Sequence, residues 1–183
     1  MTNFTRNLAI AVVLSLAAIP ASAATTVDVD AAKSPMTALE RQVRKELITL
    51  PFYSLFDHIQ FQIEGNTVML SGSVYRPSLK KSAERVLARV EGIANVKNDI
   101  EVLPTSTFDD SIRRAMLRTI YGDTVLSRYS QGSHPAIRII VRNGDVTLEG
   151  AVINEGDKNL AGIRANTVNN VFKVTNNLKV ARS

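Results

Sequence analysis

VMLSGSV at residues 68–74 returns as VTLEGAV at residues 146–152, 78 positions further along the chain. Each phrase alternates apolar and small or polar residues as a strand does, yet each spends one position on a glycine, which weakens a strand interior. The match extends without a gap in both directions. IEGNTVMLSGSV at 63–74 lies over VRNGDVTLEGAV at 141–152, and GIANVKNDIEV at 92–102 over NVFKVTNNLKV at 170–180. Upstream, the apolar pattern of TALERQVRKELI at 37–48 recurs as STFDDSIRRAML at 106–117 with an offset of 69. The second copy therefore holds nine extra residues, within YGDTVLSRYSQGSHP at 121–135. Self-similarity of this kind marks a duplicated module.

Period supplies the elements of each copy. Leu39, Val43, Leu47 and Leu50 share one helical face behind a capping-box spacing, Thr37 to Glu40. In the second copy Phe108, Ile112, Ala115, Met116 and Thr119 do the same, with Thr107 and Asp110 as the box. Two alternating runs follow, Ile59/Phe61/Ile63 then Val68/Leu70/Val74, with their counterparts Ile137/Ile139/Val141 and Val146/Leu148/Val152. The glycine-containing turns between the runs make each pair a hairpin. A second helix is clear at 78–92, while its counterpart at 156–168 contains Gly156 and Gly162 and sets Asp157 and Arg164 where the first copy has Leu79 and Val86. A closing strand carries Ile100/Val102 or Leu178/Val180. The expected fold is α+β: two tandem αββαβ modules, 36–104 and 105–183, each with two helices on a small mixed three-stranded sheet. Gly72 and Gly150 read as structural glycines, placed where a side chain would meet a helix packed on the sheet.

Residues 1–23 belong to neither module. Arg6, the 12-residue run Leu8–Ile19 and then Ala21-Ser22-Ala23 read as a signal peptide cleaved after Ala23. The run is short of the roughly 20 residues of a membrane-spanning helix. Residues 24–35 are expected to be a disordered lead-in, and the processed protein to be exported and soluble. The chain has no cysteine, which excludes disulfides, thiol nucleophiles and a cysteine-linked lipid anchor. The basic excess is concentrated in the second copy: residues 107–183 hold 11 basic and 7 acidic groups, residues 36–104 hold 9 and 8. In an exported protein that bias favours anionic envelope surfaces over nucleic acid.

The two strand-glycine phrases, the Ala83-Glu84 pair and the endings GIANVKNDIEV and NVFKVTNNLKV resemble the BON domain, over essentially all of the chain after the signal peptide. The paired arrangement is similar to the osmotically induced periplasmic type and the lipoprotein type of two-domain member. That resemblance implies attachment to phospholipid membranes and maintenance of the envelope under stress. For the soluble type it also implies help to outer-membrane or secreted β-rich proteins, a chaperone or adaptor role that open sheet edges would serve.

No catalytic motif is present. His58 and His134 are the only histidines, each beside a residue, Asp57 or Ser133, that points away from it. Asp109 and Asp110 fall in a first helical turn, where they complement the dipole. The expectation is a non-enzyme that needs no metal or cofactor. What remains is a surface. On the first helix of the second copy, a wheel started at Phe108 places Leu117 at about 180° and Tyr121 at about 220°, ringed by Arg113, Arg114 and Arg118. These five residues form the expected lipid-binding site, in which the cations meet phosphates and the apolar groups enter the interface. Leu117 and Tyr121 could instead pack on the first copy, and the first copy has a weaker version in Ile48 among Arg41, Arg44 and Lys45.

Overall fold

The computed structural model describes residues 27–28, 36–132 and 134–181. The signal peptide expected at 1–23 and its cleavage site lie outside them. Of the lead-in expected to be disordered, the described pair Val27–Asp28 (β1) is a short strand, paired antiparallel with Phe61 and Gln60. The rest of 24–35 lies outside the described residues.

The first module runs α1 (Ala38–Ile48), β2 (His58–Glu64), β3 (Thr67–Val74), α2 (Pro77–Leu87), β4 (Asn95–Asn98) and β5 (Glu101–Val102). The second runs α3 (Thr107–Tyr121), a 3-10 helix at Leu126–Ser130, β6 (Ile137–Arg142), β7 (Asp145–Val152), α4 (Glu155–Asn166), β8 (Lys173–Asn176) and β9 (Lys179–Val180). The capping box of α1 is complete, with the Thr37 hydroxyl accepting from the Glu40 amide and Glu40 accepting from the Thr37 amide. In the second module the cap is one residue earlier than the sequence reading placed it. Ser106 accepts from the Asp109 amide, in line with the 69-residue offset from Thr37.

Each module centres on its glycine-bearing strand. β3 pairs antiparallel with β2 and parallel with β4 and β5, and β7 does the same with β6, β8 and β9. The closing strand is thus split in two, and an asparagine holds the break in both copies. The Asn98 carboxamide donates to the Lys80 carbonyl at 2.8 Å, and its counterpart Asn176 to the Lys158 carbonyl at 2.7 Å. Each break is therefore tied to the helix beside it. Helices and sheet enclose a separate apolar core in each module, around Leu47, Phe61 and Leu70 in the first and Met116, Ile139 and Leu148 in the second.

Gly72 and Gly150 adopt φ of 107° and 106°, a region closed to other residues. A Cβ on either would overlap a backbone carbonyl oxygen, that of His58 or Ala136. The close neighbour is thus the adjacent strand, not the helix expected from sequence.

The nine-residue insertion and the odd polar positions of α4 account for each other. Leu126 and Tyr129, from the 3-10 helix, enter the second core. Asp157, where the first module has the buried Leu79, accepts from Arg128 and from the Tyr129 hydroxyl. Arg164, where the first module has Val86, donates to Asp123 at 2.8 Å. An apolar stripe on α4 is replaced by two ion pairs to the insertion, so the helix forms despite its two glycines.

The modules are joined along the outer edge of β6. The loop before β2 is folded around Asp57, which is fully buried and accepts from the Ser54 amide, the Ser54 hydroxyl and the Tyr75 amide. From that loop the Leu55 carbonyl accepts from the Ile139 amide at 2.8 Å, and the Ser54 carbonyl from buried Arg138 at 2.8 Å. Leu55 and Phe56 pack on the second core. Tyr75 stacks under the Arg113 guanidinium, 4.7 Å from the ring centre, and its hydroxyl donates to Asp110.

Candidate functional site

α3 lies across β6 with its buried side formed by Asp109, Ile112, Arg113, Met116 and Ile120. That face is centred roughly 50° away from the one anchored on Phe108, because Phe108 itself is 41% exposed and stacks on Phe172. The rotation divides the five expected lipid-binding residues. Arg113 is only 2% exposed. It pairs with Asp110 at 2.7 Å and donates to the Val141 carbonyl at 2.6 Å. Tyr121 is half-buried against its own module's core and donates to the Ile137 carbonyl. Both side chains satisfy outward-pointing groups of the β6 edge, on either side of the Ile139–Leu55 bond. An unpaired edge carbonyl costs more than an exposed arginine gains. Arg113 and Tyr121 are therefore corrected from surface ligands to edge caps.

Arg114, Leu117 and Arg118 do face outward. Neither arginine is engaged in an ion pair among the described residues, and Leu117 is 36% exposed. It is not among the apolar residues packed against the first module's core. Beside α3, Arg118 and Arg164 line a shared shallow depression, and next to Arg164 the outer side of α4 presents Ile163, 62% exposed. Sequence reasoning missed Ile163. The signal was in the repeat: it stands where the first copy has Arg85, an apolar residue on a face that is polar in its twin. The weaker version expected in the first module is not a free surface, since Ile48 packs against that module's core.

The carboxylates of the first turn of α3 are structural as well. Asp109, fully buried, accepts from the Asn143 and Gly144 amides at 2.9 and 2.8 Å and so ties the helix to the hairpin tip. His58 lies between the modules, 3.7 Å from Glu149. His134 packs against Tyr53, with ring centres 6.3 Å apart. Among the described sheet edges, β2 is met by β1 and β6 by the three caps just described. The opposite edges are short strands, of four and two residues in each module.

This duplicated αββαβ order, with a strand glycine and an asparagine staple in each copy, coincides with a family match. The BON domain model matches residues 37–104 and again 109–182. The chain belongs to the BON domain family. BON domains are non-catalytic modules of periplasmic and envelope proteins, and membership supports an envelope-associated role for this tandem pair. No helix among the described residues is long and apolar enough to cross a membrane. None of the curated proteins matches the chain. Among solved structures, the tandem BON chain is similar to the C-terminal domain of CdsD, a structural protein of the type III secretion system of Chlamydia trachomatis. The identity is 10% and the TM-score 0.29, over 81% of this chain and 100% of that one. A second structure of CdsD is 13% identical with a TM-score of 0.31, over 78% of this chain and 64% of that one. At these TM-scores the likeness bears on neither the fold nor the function of the BON pair.

Proposed function

We propose that this tandem BON protein is a non-enzymatic envelope-maintenance protein of the periplasm that binds anionic phospholipid surfaces through the outer helical face of its second module. Arg114 and Arg118 meet lipid phosphates, and Leu117 and Ile163 enter the interfacial layer. The single observation that carries this reading is the combination of two arginines in no ion pair with any described residue and two exposed aliphatic side chains on one helical layer. Two basic residues contribute about 2 kcal/mol at an anionic surface, roughly thirtyfold in partition. Lasting attachment therefore needs the aliphatic pair as well, whose complete burial would add about 1.5–3 kcal/mol each.

Co-sedimentation of the mature protein with liposomes tests this. Binding rises with the phosphatidylglycerol fraction, falls with salt, and drops by roughly thirtyfold in an Arg114→Ser/Arg118→Ser variant. Equal binding to neutral and anionic liposomes would overturn the proposal. The alternative, a chaperone or adaptor for outer-membrane or secreted β-rich clients, would rest on the short β4/β5 and β8/β9 edges. The exposed Lys97 and Lys173 on those edges discourage strand addition.

A further inference from the structure

The open faces of the two sheets, the sides away from the helices, enclose a cleft of about 530 Å3 at the module junction. That volume falls within the roughly 300–1,000 Å3 of small-ligand sites, which favour domain boundaries. The membrane surface lies on the helical layer, so nothing in that reading uses this side of the molecule. The lining contains no Phe, Tyr or Trp, its one aromatic ring is the imidazole of His58, only 4% exposed, and Ile140 is its one branched aliphatic residue. It offers no stacking platform to a base and no apolar wall to an acyl chain.

What it does offer is an ordered ladder of polar groups. β7 and β8 run parallel, with Asp145 beside Lys173 and Thr147 beside Thr175. Neighbouring strands are about 4.8 Å apart and successive rungs on one face about 6.6 Å. Farther in, Glu149 accepts from the Asn177 carboxamide at 2.7 Å. Across the cleft mouth Arg142 is paired with Glu101 of the first module. Those contacts consume Glu149, Arg142 and Glu101. Asp145 and Lys173 remain exposed and engaged in no ion pair with any described residue, one carboxylate and one ammonium side by side with hydroxyls behind them. The rung spacing matches that of alternate residues in an extended peptide.

We propose that this inter-sheet cleft binds short polar peptides that carry both an ammonium and a carboxylate. Lys173 takes the carboxylate, Asp145 takes the ammonium, and Thr147 and Thr175 hydrogen-bond the peptide backbone. Both signs are required, because a purely anionic or purely cationic ligand would leave one of the two side chains facing a like charge. The same chemistry is found in a free short peptide and in a charged segment of a longer exported chain.

The test is amide chemical-shift mapping on the full mature protein, titrated with Ala-Glu-Lys-Ala bearing free termini. A second arm uses the same four residues within an unstructured peptide blocked at both ends, and a third uses blocked Ala-Gln-Gln-Ala. Shifts are expected at Thr147, Thr175 and Asn177 and not on α3, with affinity for the free peptide at least about tenfold above the neutral one. Lys173→Glu should weaken binding by about tenfold, while the exchanged pair Asp145→Lys/Lys173→Asp should retain it with the peptide reversed. Both positions are exposed, so neither substitution threatens the fold. Binding of the blocked segment as tight as that of the free peptide identifies a longer chain as the source, and tighter binding of the free peptide identifies a released one. No shifts at these amides up to millimolar peptide, or equal shifts from the neutral peptide, would overturn the proposal. Lipid binding is unaffected by either outcome.

Discussion

Replacing Gly150 by alanine should be among the most damaging single-methyl changes in this protein. At φ of 106° any other residue is strained by about 1–3 kcal/mol. The new Cβ would also overlap the Ala136 carbonyl oxygen on the edge of β6, and separating the strands costs about 1–3 kcal/mol more. Alanine's lower unfolded-state entropy returns about 0.4–1 kcal/mol. The net loss is about 3 kcal/mol, a fall in melting temperature of about 6–12 °C for a chain of this size. Gly132→Ala is the control, since Gly132 also has positive φ, 86°, but open space where the Cβ would go. Scanning calorimetry on both variants separates strain from overlap, and Gly72→Ala should reproduce the larger effect in the first module. If Gly150→Ala melted within about 2 °C of wild type, or no lower than Gly132→Ala, the close approach of strand to strand would not be what fixes a glycine there.

Other consequences can be measured on the same protein. Arg113→Met removes a buried ion pair and strands the Val141 carbonyl. It should destabilise by about 2–4 kcal/mol in urea unfolding while leaving lipid affinity of the folded protein within about twofold. Restoring the first-copy residue with Asp157→Leu leaves Arg128 and the buried Tyr129 hydroxyl without their acceptor. It should cost about 1–3 kcal/mol, and a double-mutant cycle with Tyr129→Phe should show strong coupling. The carboxyl of Asp123 is held below its ordinary range, chiefly by the Val125 and Leu126 amides and further by Arg164. Its contribution is thus fully present above the unfolded-state value near 4 and is lost as pH falls through the lower folded-state value. Asp123→Asn should flatten the acid limb of the stability–pH curve of the second module, as followed by hydrogen exchange.

Much of this architecture was legible because it was written twice. The hairpins at 58–74 and 137–152 follow from alternation, and the 69-residue offset locates the α3 cap at Ser106 better than the local Thr107/Asp110 spacing does. The face of α3 was not legible. Its periodicity admits a rotation of about half a residue, and Phe108, which set the wheel, stacks on Phe172 from a distant loop. Nor does any local pattern say that β6 has an exposed edge to be capped. That role for Arg113, Tyr121 and Leu55 exists only once the strands are ordered in space. The polar positions Asp157 and Arg164 were visible as anomalies, and their partners lay in the insertion, whose length was known from the repeat while its conformation was not.

Amide line broadening by a spin-labelled lipid in phosphatidylglycerol-containing bicelles tests the central claim, contact between the outer face of the second module and a membrane. Broadening should concentrate at residues 114–118 of α3 and around Ile163 of α4, and should fade when the bicelles are made neutral. Broadening centred on α1 or α2, or spread evenly over both modules, would contradict it.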